Sequence, residues 1–168
     1  MRWFPDDVTF KIIGVVGSTN GEPEILRLAE DVGAEIARRG AAVVCGGLSG
    51  VMEAVCRGAR REGGLTIGII PSDEKNDANP YVQIPIVTGM GMGRNVMLVK
   101  TADVIIAVGG EFGTLSEIAH ALNIGKKVIG LRTWHLEKAR DRPISNLIVA
   151  SDPKQAVDIA MASISAQR

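Results

Sequence analysis

The strongest constraint on this chain is a unit that it repeats: a short apolar run, a cluster of glycines, then a segment with helical periodicity. Val104-Ile105-Ile106-Ala107-Val108 enters Gly109-Gly110-Glu111-Phe112-Gly113, after which Leu115, Ile118, Ala119 and Leu122 fall on one helical face. Residues 41–45 enter Gly46-Gly47-Leu48-Ser49-Gly50 and a helix expected over 49–62. Residues 9–16 enter Gly17-Ser18-Thr19-Asn20 and a helix with Pro23 in its first turn. A strand that is apolar throughout has to be covered on both faces, and helices between strands supply that cover in a parallel sheet.

Further strands are expected at 65–70, 81–88, 127–131 and 147–150, with Pro85 making the second of these short or an edge strand. A short helix is expected over 94–101, another over 114–124, and a last one opened by Asp152 as N-cap and Pro153 at N1. The predicted fold is therefore α/β: a single doubly wound Rossmann-like domain, with a mostly parallel sheet of about seven strands and helices on both faces. Residues 1–8 read as an N-terminal extension and 132–146 as a variable loop. Asp73, Glu74 and Asp77 read as a solvated loop. Right-handed crossovers bring every glycine turn to the C-terminal edge of the sheet, where ligands lie at the point at which strand order reverses.

Composition enters as a filter. A chain of 168 residues, 46% hydrophobic and 23% charged, is long enough for one proper core. Nineteen basic against nineteen acidic residues leave no global field to attract nucleic acid or a membrane surface. Cys45, Cys56, His120 and His135 lack metal-ligand spacing, so no metal is expected. Nor is a disulfide, with Cys45 at a strand end and Cys56 on the next helix. No stretch resembles a signal peptide or reaches transmembrane length, and a cytoplasmic protein is expected.

The glycine turns carry the candidate chemistry. A turn between strand and helix leaves N–H groups free at the positive end of a helix dipole, which suits a phosphate. Gly17, Ser18, Gly46, Gly47, Gly110, Gly113 and Thr114 are the candidate phosphate-binding residues. Neither G-G-x-x-G turn is a Walker A loop or a dinucleotide fingerprint. One such turn would be no more than a tight bend; three on one edge point to phosphate binding.

Thr114 and Glu117 have two competing readings. Thr-x-x-Glu at a helix start is a capping box, which on spacing alone is the better account. In the other, Thr114 meets phosphate and Glu117 faces the crevice as a base or charge stabiliser. Arg94, after the run Gly89 to Gly93, suits bidentate phosphate or carboxylate contact, against the default of a solvated surface arginine. Phe112 and Trp134 could stack on a base, or belong to the core.

Gly109 to Glu117 resembles the P-G-G-x-G-T-x-x-E motif of the LOG-like proteins, long mislabelled as lysine decarboxylases, and Cys45 to Glu53 resembles a shortened form of their second glycine turn. The resemblance covers most of 9–165. It implies a nucleotide-binding domain acting on nucleoside 5′-monophosphates as a phosphoribohydrolase, with no cofactor required. Glu117 and Arg94 would be catalytic, and Gly110, Gly113 and Thr114 would hold the 5′-phosphate. Val108 stands in place of the motif's proline, and Asn95 in place of the second residue of an Arg-Lys pair. Residues 78–82, Thr88-Gly89 and Gly93-Arg94-Asn95 resemble a shorter branch that includes the molybdenum cofactor carrier proteins. That branch implies the alternative of a non-catalytic carrier or sensor for a phosphorylated pterin or nucleotide. Relatives are usually oligomers, which implies a homodimer or homotetramer. A pyridoxal-phosphate lysine decarboxylase is excluded by size and by the absence of a convincing Schiff-base lysine.

Overall fold

The computed structural model describes residues 10–137, 139 and 142–166; the expected extension at 1–8 lies outside them, as does part of the 132–146 loop. Seven strands form one all-parallel sheet. In chain order these are β1 Ile12–Val16, β2 Ala42–Cys45, β3 Thr66–Ile70, β4 Ile84–Val87, β5 Val104–Val108, β6 Val128–Leu131 and β7 Leu147–Val149. Among the described residues four α-helices lie between strands, α1 Pro23–Arg38, α2 Val51–Arg61, α3 Arg94–Thr101 and α4 Phe112–Asn123, and a fifth, α5 Pro153–Ser165, follows β7.

The strand order is β4-β3-β2-β1-β5-β6-β7. The chain winds outward from β1 to β4, returns through α3, and winds the other way from β5. The reversal therefore lies between β1 and β5, where Gly17 and Gly109 leave the sheet. Central strands are buried throughout: all of β2, β5 and β6, and four of the five residues of β1. One cluster of apolar side chains fills the α1, α2 and α5 side, around Ile13, Val43 and Ile106. A second, around Ile105, Leu98 and Ile118, fills the α3 and α4 side. β4 takes the edge position that Pro85 foreshadows, with Ile84 and Val87 exposed.

Helices α1 and α2 meet backbone to backbone. A Cβ on Gly33 would sit 2.0 Å from the Val55 carbonyl oxygen, and one on Gly58 1.9 Å from that of Glu30. Only glycine permits this approach. Its rim is tied by Glu30, which accepts from Arg57 Nε at 2.9 Å and from Arg61 Nη1 at 2.5 Å. The pairing matters for the site, because α1 follows the first glycine turn and α2 the second.

Helix ends follow the expected chemistry at two places. Pro23 occupies the first turn of α1, and Asp152 caps α5 by accepting from the Gln155 N–H at 2.8 Å. α4 departs from expectation. It starts at Phe112, two residues before Thr114, with Glu111 in the N-cap position. The expected capping box does not form, because Thr114 lies inside the helix and Glu117 is its sixth residue.

Candidate functional site

The turns after β1 and β2 are bound to each other. The Ser18 carbonyl accepts the first N–H of α2, from Val51, at 3.0 Å, and Ser49 Oγ donates to the Thr19 carbonyl at 3.3 Å. Gly50 has φ +68°, and a Cβ there would lie 2.4 Å from the Ser18 oxygen. Gly47 has its N–H directed to Cys45 Sγ at 3.4 Å and its carbonyl to the Asn79 N–H at 2.8 Å. The Gly46 carbonyl accepts from Arg94 Nη2 at 3.3 Å. The carbonyls of this second turn are thus largely engaged by the protein itself, that of Leu48 by Asn79 Nδ2 at 2.9 Å, while of its N–H groups only that of Gly47 has an acceptor among the described residues.

The turn after β5 is held from outside and open within. The Gly109 N–H donates to Leu131 O at 3.1 Å, Thr133 Oγ1 donates to the Gly109 carbonyl, and Trp134 Nε1 donates to Glu111 O at 3.3 Å. The exit of β6 therefore clasps the turn. Arg132, at φ +53°, begins this clasp in a left-handed conformation that a non-glycine residue seldom adopts. The first bond across the start of α4 runs from the Leu115 N–H to Glu111 O at 3.0 Å. Among the described residues no side chain caps the helix, and the N–H groups of Phe112, Gly113 and Thr114 have no acceptor. Three donors at a helix N-terminus form a seat for an anion.

Arg94 and Glu117 meet between these two turns. Arg94, expected by default to be solvated, is 6% exposed, and Glu117 is 7% exposed. Arg94 Nη1 lies 3.7 Å from Glu117 Oε1 and also donates to Asn95 Oδ1. Its buried Nε–H has no partner among the described residues. Burial raises the Glu117 pKa from 4.5 to about 7, with the charge of Arg94 opposing the shift. Burial also lowers the Arg94 pKa, opposed by Glu117 and then Cys45. The pair can present a guanidinium donor and a carboxyl group that exchanges its proton near neutrality.

Phe112 is exposed, and its ring lies 5.6 Å from that of Trp134 at 41°. A Cβ on Gly113 would meet Met92 Cε at 3.8 Å, so Met92 flanks the helix start on another side. Met90 and Met92 are exposed. Sequence reasoning passed over these methionines and over Thr133, whose hydroxyl role depends on a contact across 24 positions. The two cysteines are also closer than their elements suggest, with sulfurs 3.5 Å apart. Among the described residues no group of three or more His, Cys, Asp or Glu side chains comes together as a metal set, and no helix is long and apolar enough to cross a membrane.

With this geometry in view, the likeness to known proteins is informative. The chain belongs to the SLOG cluster4 family, whose profile matches residues 10–157. An uncharacterized protein of Archaeoglobus fulgidus is 40% identical over 151 residues, covering 90% of this chain and 95% of that one. The molybdenum cofactor binding protein of Rippkaea orientalis superposes with a TM-score of 0.84 at 36% identity, covering 94% of this chain and 99% of that one. The cytokinin riboside 5′-monophosphate phosphoribohydrolase of Mycobacterium marinum is 34% identical over 121 residues, which is 67% of this chain and 65% of the enzyme. The chain thus resembles a LOG-like family that also includes molybdenum cofactor carriers, and the Rossmann-like fold is shared along nearly its whole length.

Proposed function

We propose that the C-terminal edge of the sheet binds a small phosphorylated ligand with a flat heteroaromatic ring, and that the protein acts as a carrier of such a ligand, a phosphorylated pterin of the molybdenum cofactor kind. The observation that carries the binding reading is the open start of α4, where the N–H groups of Phe112, Gly113 and Thr114 have no acceptor among the described residues. The unpartnered Arg94 Nε–H supports it, since a buried donor without an acceptor costs about 1–3 kcal/mol and a ligand oxygen would recover that. Phe112 and Trp134 offer an aromatic surface beside the seat. The carrier reading draws on the superposition with the molybdenum cofactor binding protein, which at 36% identity covers 94% of this chain and 99% of that one.

A second reading rests on one observation, a buried carboxyl with a pKa of about 7 beside an arginine. Glu117 could then stabilise the oxocarbenium ion that develops on ribose as an N-glycosidic bond breaks, or take a proton from attacking water. Against it, Asn95 stands where a second cation is expected. The protein as read also assembles as a homodimer or homotetramer, with Val96 and Met97 of α3 exposed in the isolated chain, and needs no nucleic acid or membrane.

One experiment separates the readings. The protein is incubated with a panel of nucleoside 5′-monophosphates while free base is followed, and in parallel its retention of molybdenum cofactor through gel filtration is measured. Retention without base release is expected. Base release that disappears in Glu117→Gln would instead establish the hydrolase, and failure to retain any phosphorylated ligand would overturn the site itself.

A further inference from the structure

We infer that Cys45 and Cys56 are a redox-modification site, a dithiol that closes to a reversible disulfide beneath the Gly46-Gly47 turn and thereby loosens that turn's hold on Arg94. Both residues are free and buried, and their sulfurs are 3.5 Å apart. A disulfide bond is about 2.05 Å long, so closure requires the sulfurs to approach by about 1.5 Å, within reach of side-chain rotation and a small shift of α2. Cys45 ends β2 and Cys56 lies on α2, so the bond would tie the strand to the helix that follows its turn.

The surroundings give the two thiols different roles. Cys45 Sγ accepts the Gly47 N–H at 3.4 Å and lies 3.7 Å from the Met52 carbonyl oxygen. The Cys45 thiol is drawn toward ionisation by its contact with Cys56, against the effect of burial, and further by the Gly47 N–H and the charge of Arg94; the same contact and burial push Cys56 upward. The Gly47 N–H directed at its sulfur makes Cys45 the nucleophile and leaves Cys56 as the resolving thiol. With a hydroperoxide as oxidant, the Cys45 thiolate attacks one peroxide oxygen, breaking the O–O bond and giving a sulfenic acid; the Cys56 sulfur then displaces its hydroxyl. With hydrogen peroxide the balance is two thiols and one peroxide to one disulfide and two waters.

Closure reaches the site through two contacts. Gly47 loses the thiol that its N–H now addresses, and the Gly46 carbonyl, next to the moving residue, carries the bond from Arg94 Nη2. The turn has little slack, since a Cβ at Gly46 would already lie 2.5 Å from Arg94 Nη2 and 2.6 Å from Met52 Sδ. A shift of an ångström there cannot be absorbed without moving the guanidinium.

The test uses the intact protein treated with hydrogen peroxide near stoichiometry, because the exposed Met90 and Met92 oxidise when it is in excess. Free thiols are counted after denaturation, peptides are mapped without reduction, and hydrogen exchange is measured over residues 46–50. The expected result is joint loss of both thiols, a linked Cys45–Cys56 peptide, full reversal by a dithiol reductant, and at least threefold faster exchange in the turn. In Cys56→Ser the sulfenic acid on Cys45 should persist or over-oxidise. Absence of the linked peptide, or a linked form with unchanged exchange, overturns the inference. The exchange readout needs no ligand. Inorganic phosphate binding to the reduced protein, measured alongside, tests the α4 seat separately: its absence would overturn that seat and leave the redox site standing.

Discussion

The two G-G-x-x-G turns share their spacing, their place after a strand and their helix, yet the structure uses them differently. In the turn at 46–50 the carbonyls are largely spoken for, those of Gly47 and Leu48 by Asn79 and that of Gly46 by Arg94, and the Gly47 N–H and the first α2 N–H are taken by Cys45 and Ser18. In the turn at 109–113 the outside is clasped by Leu131, Thr133 and Trp134, and the N–H groups at the α4 start have no acceptor among the described residues. The first turn is a bracket and the second a receptacle. Glycine spacing reports where a chain can bend tightly; whether the freed donors face a ligand or a neighbour depends on what is packed against them.

Arg94 and Glu117 bridge the two turns, and breaking that bridge should have the largest effect. Glu117 has a folded pKa of about 7 against 4.5 unfolded, so the folded state holds its proton more tightly across that interval. Its contribution is fully present below pH 4.5 and is lost as pH rises to about 7. At 1.36 kcal/mol per unit this amounts to about 3 kcal/mol. Urea denaturation from pH 4.5 to 8 should show this decline in the wild type and its absence in Glu117→Gln. An equal slope in both proteins would remove Glu117 from the bridge.

Next in size is a matched pair of alanine substitutions, one in each turn. Gly46→Ala drives a methyl against Arg94 and Met52 and should cost about 1–3 kcal/mol. Gly113 meets nothing closer than Met92 Cε at 3.8 Å and lies within α4, so Gly113→Ala should be neutral or should stabilise by up to about 1 kcal/mol. Chemical denaturation of the two variants checks this, and equal penalties would erase the distinction between bracket and receptacle. The smallest effect is expected from loosening the clasp. Thr133→Val removes the hydroxyl bond to Gly109 and should cost about 1 kcal/mol, with weaker inorganic phosphate binding by calorimetry. Unchanged phosphate affinity would show that the clasp does not set the receptacle's shape.

Much of the architecture was legible because it follows from local rules. Apolar runs without alternation announced strands covered on both sides, Pro85 announced an edge, and Asp152-Pro153 announced a helix start. Of the two readings of Thr114 and Glu117, the capping box is the one that the helix start excludes. Its spacing is correct, but Gly109 at φ +57° and Gly110 at φ +114° turn the chain so that α4 begins at Phe112. With the N-cap at Glu111 rather than Thr114, Glu117 leaves the cap for the buried face beside Arg94. Boundaries of this kind are the least legible feature of a sequence.

By itself, then, the sequence determined the layers, the parallel winding and the gathering of glycine turns at one edge, since these depend on hydrophobic period, chain direction and the handedness of crossovers. It also indicated which residue types stand near that edge. Tertiary structure alone decided which donors stay free, that Arg94 is buried against Glu117 across 23 positions, and that Cys45 and Cys56 touch. Those facts depend on side chains meeting from separate elements in a low-dielectric interior. There a distance of a few ångströms sets a pKa, and no local pattern encodes it.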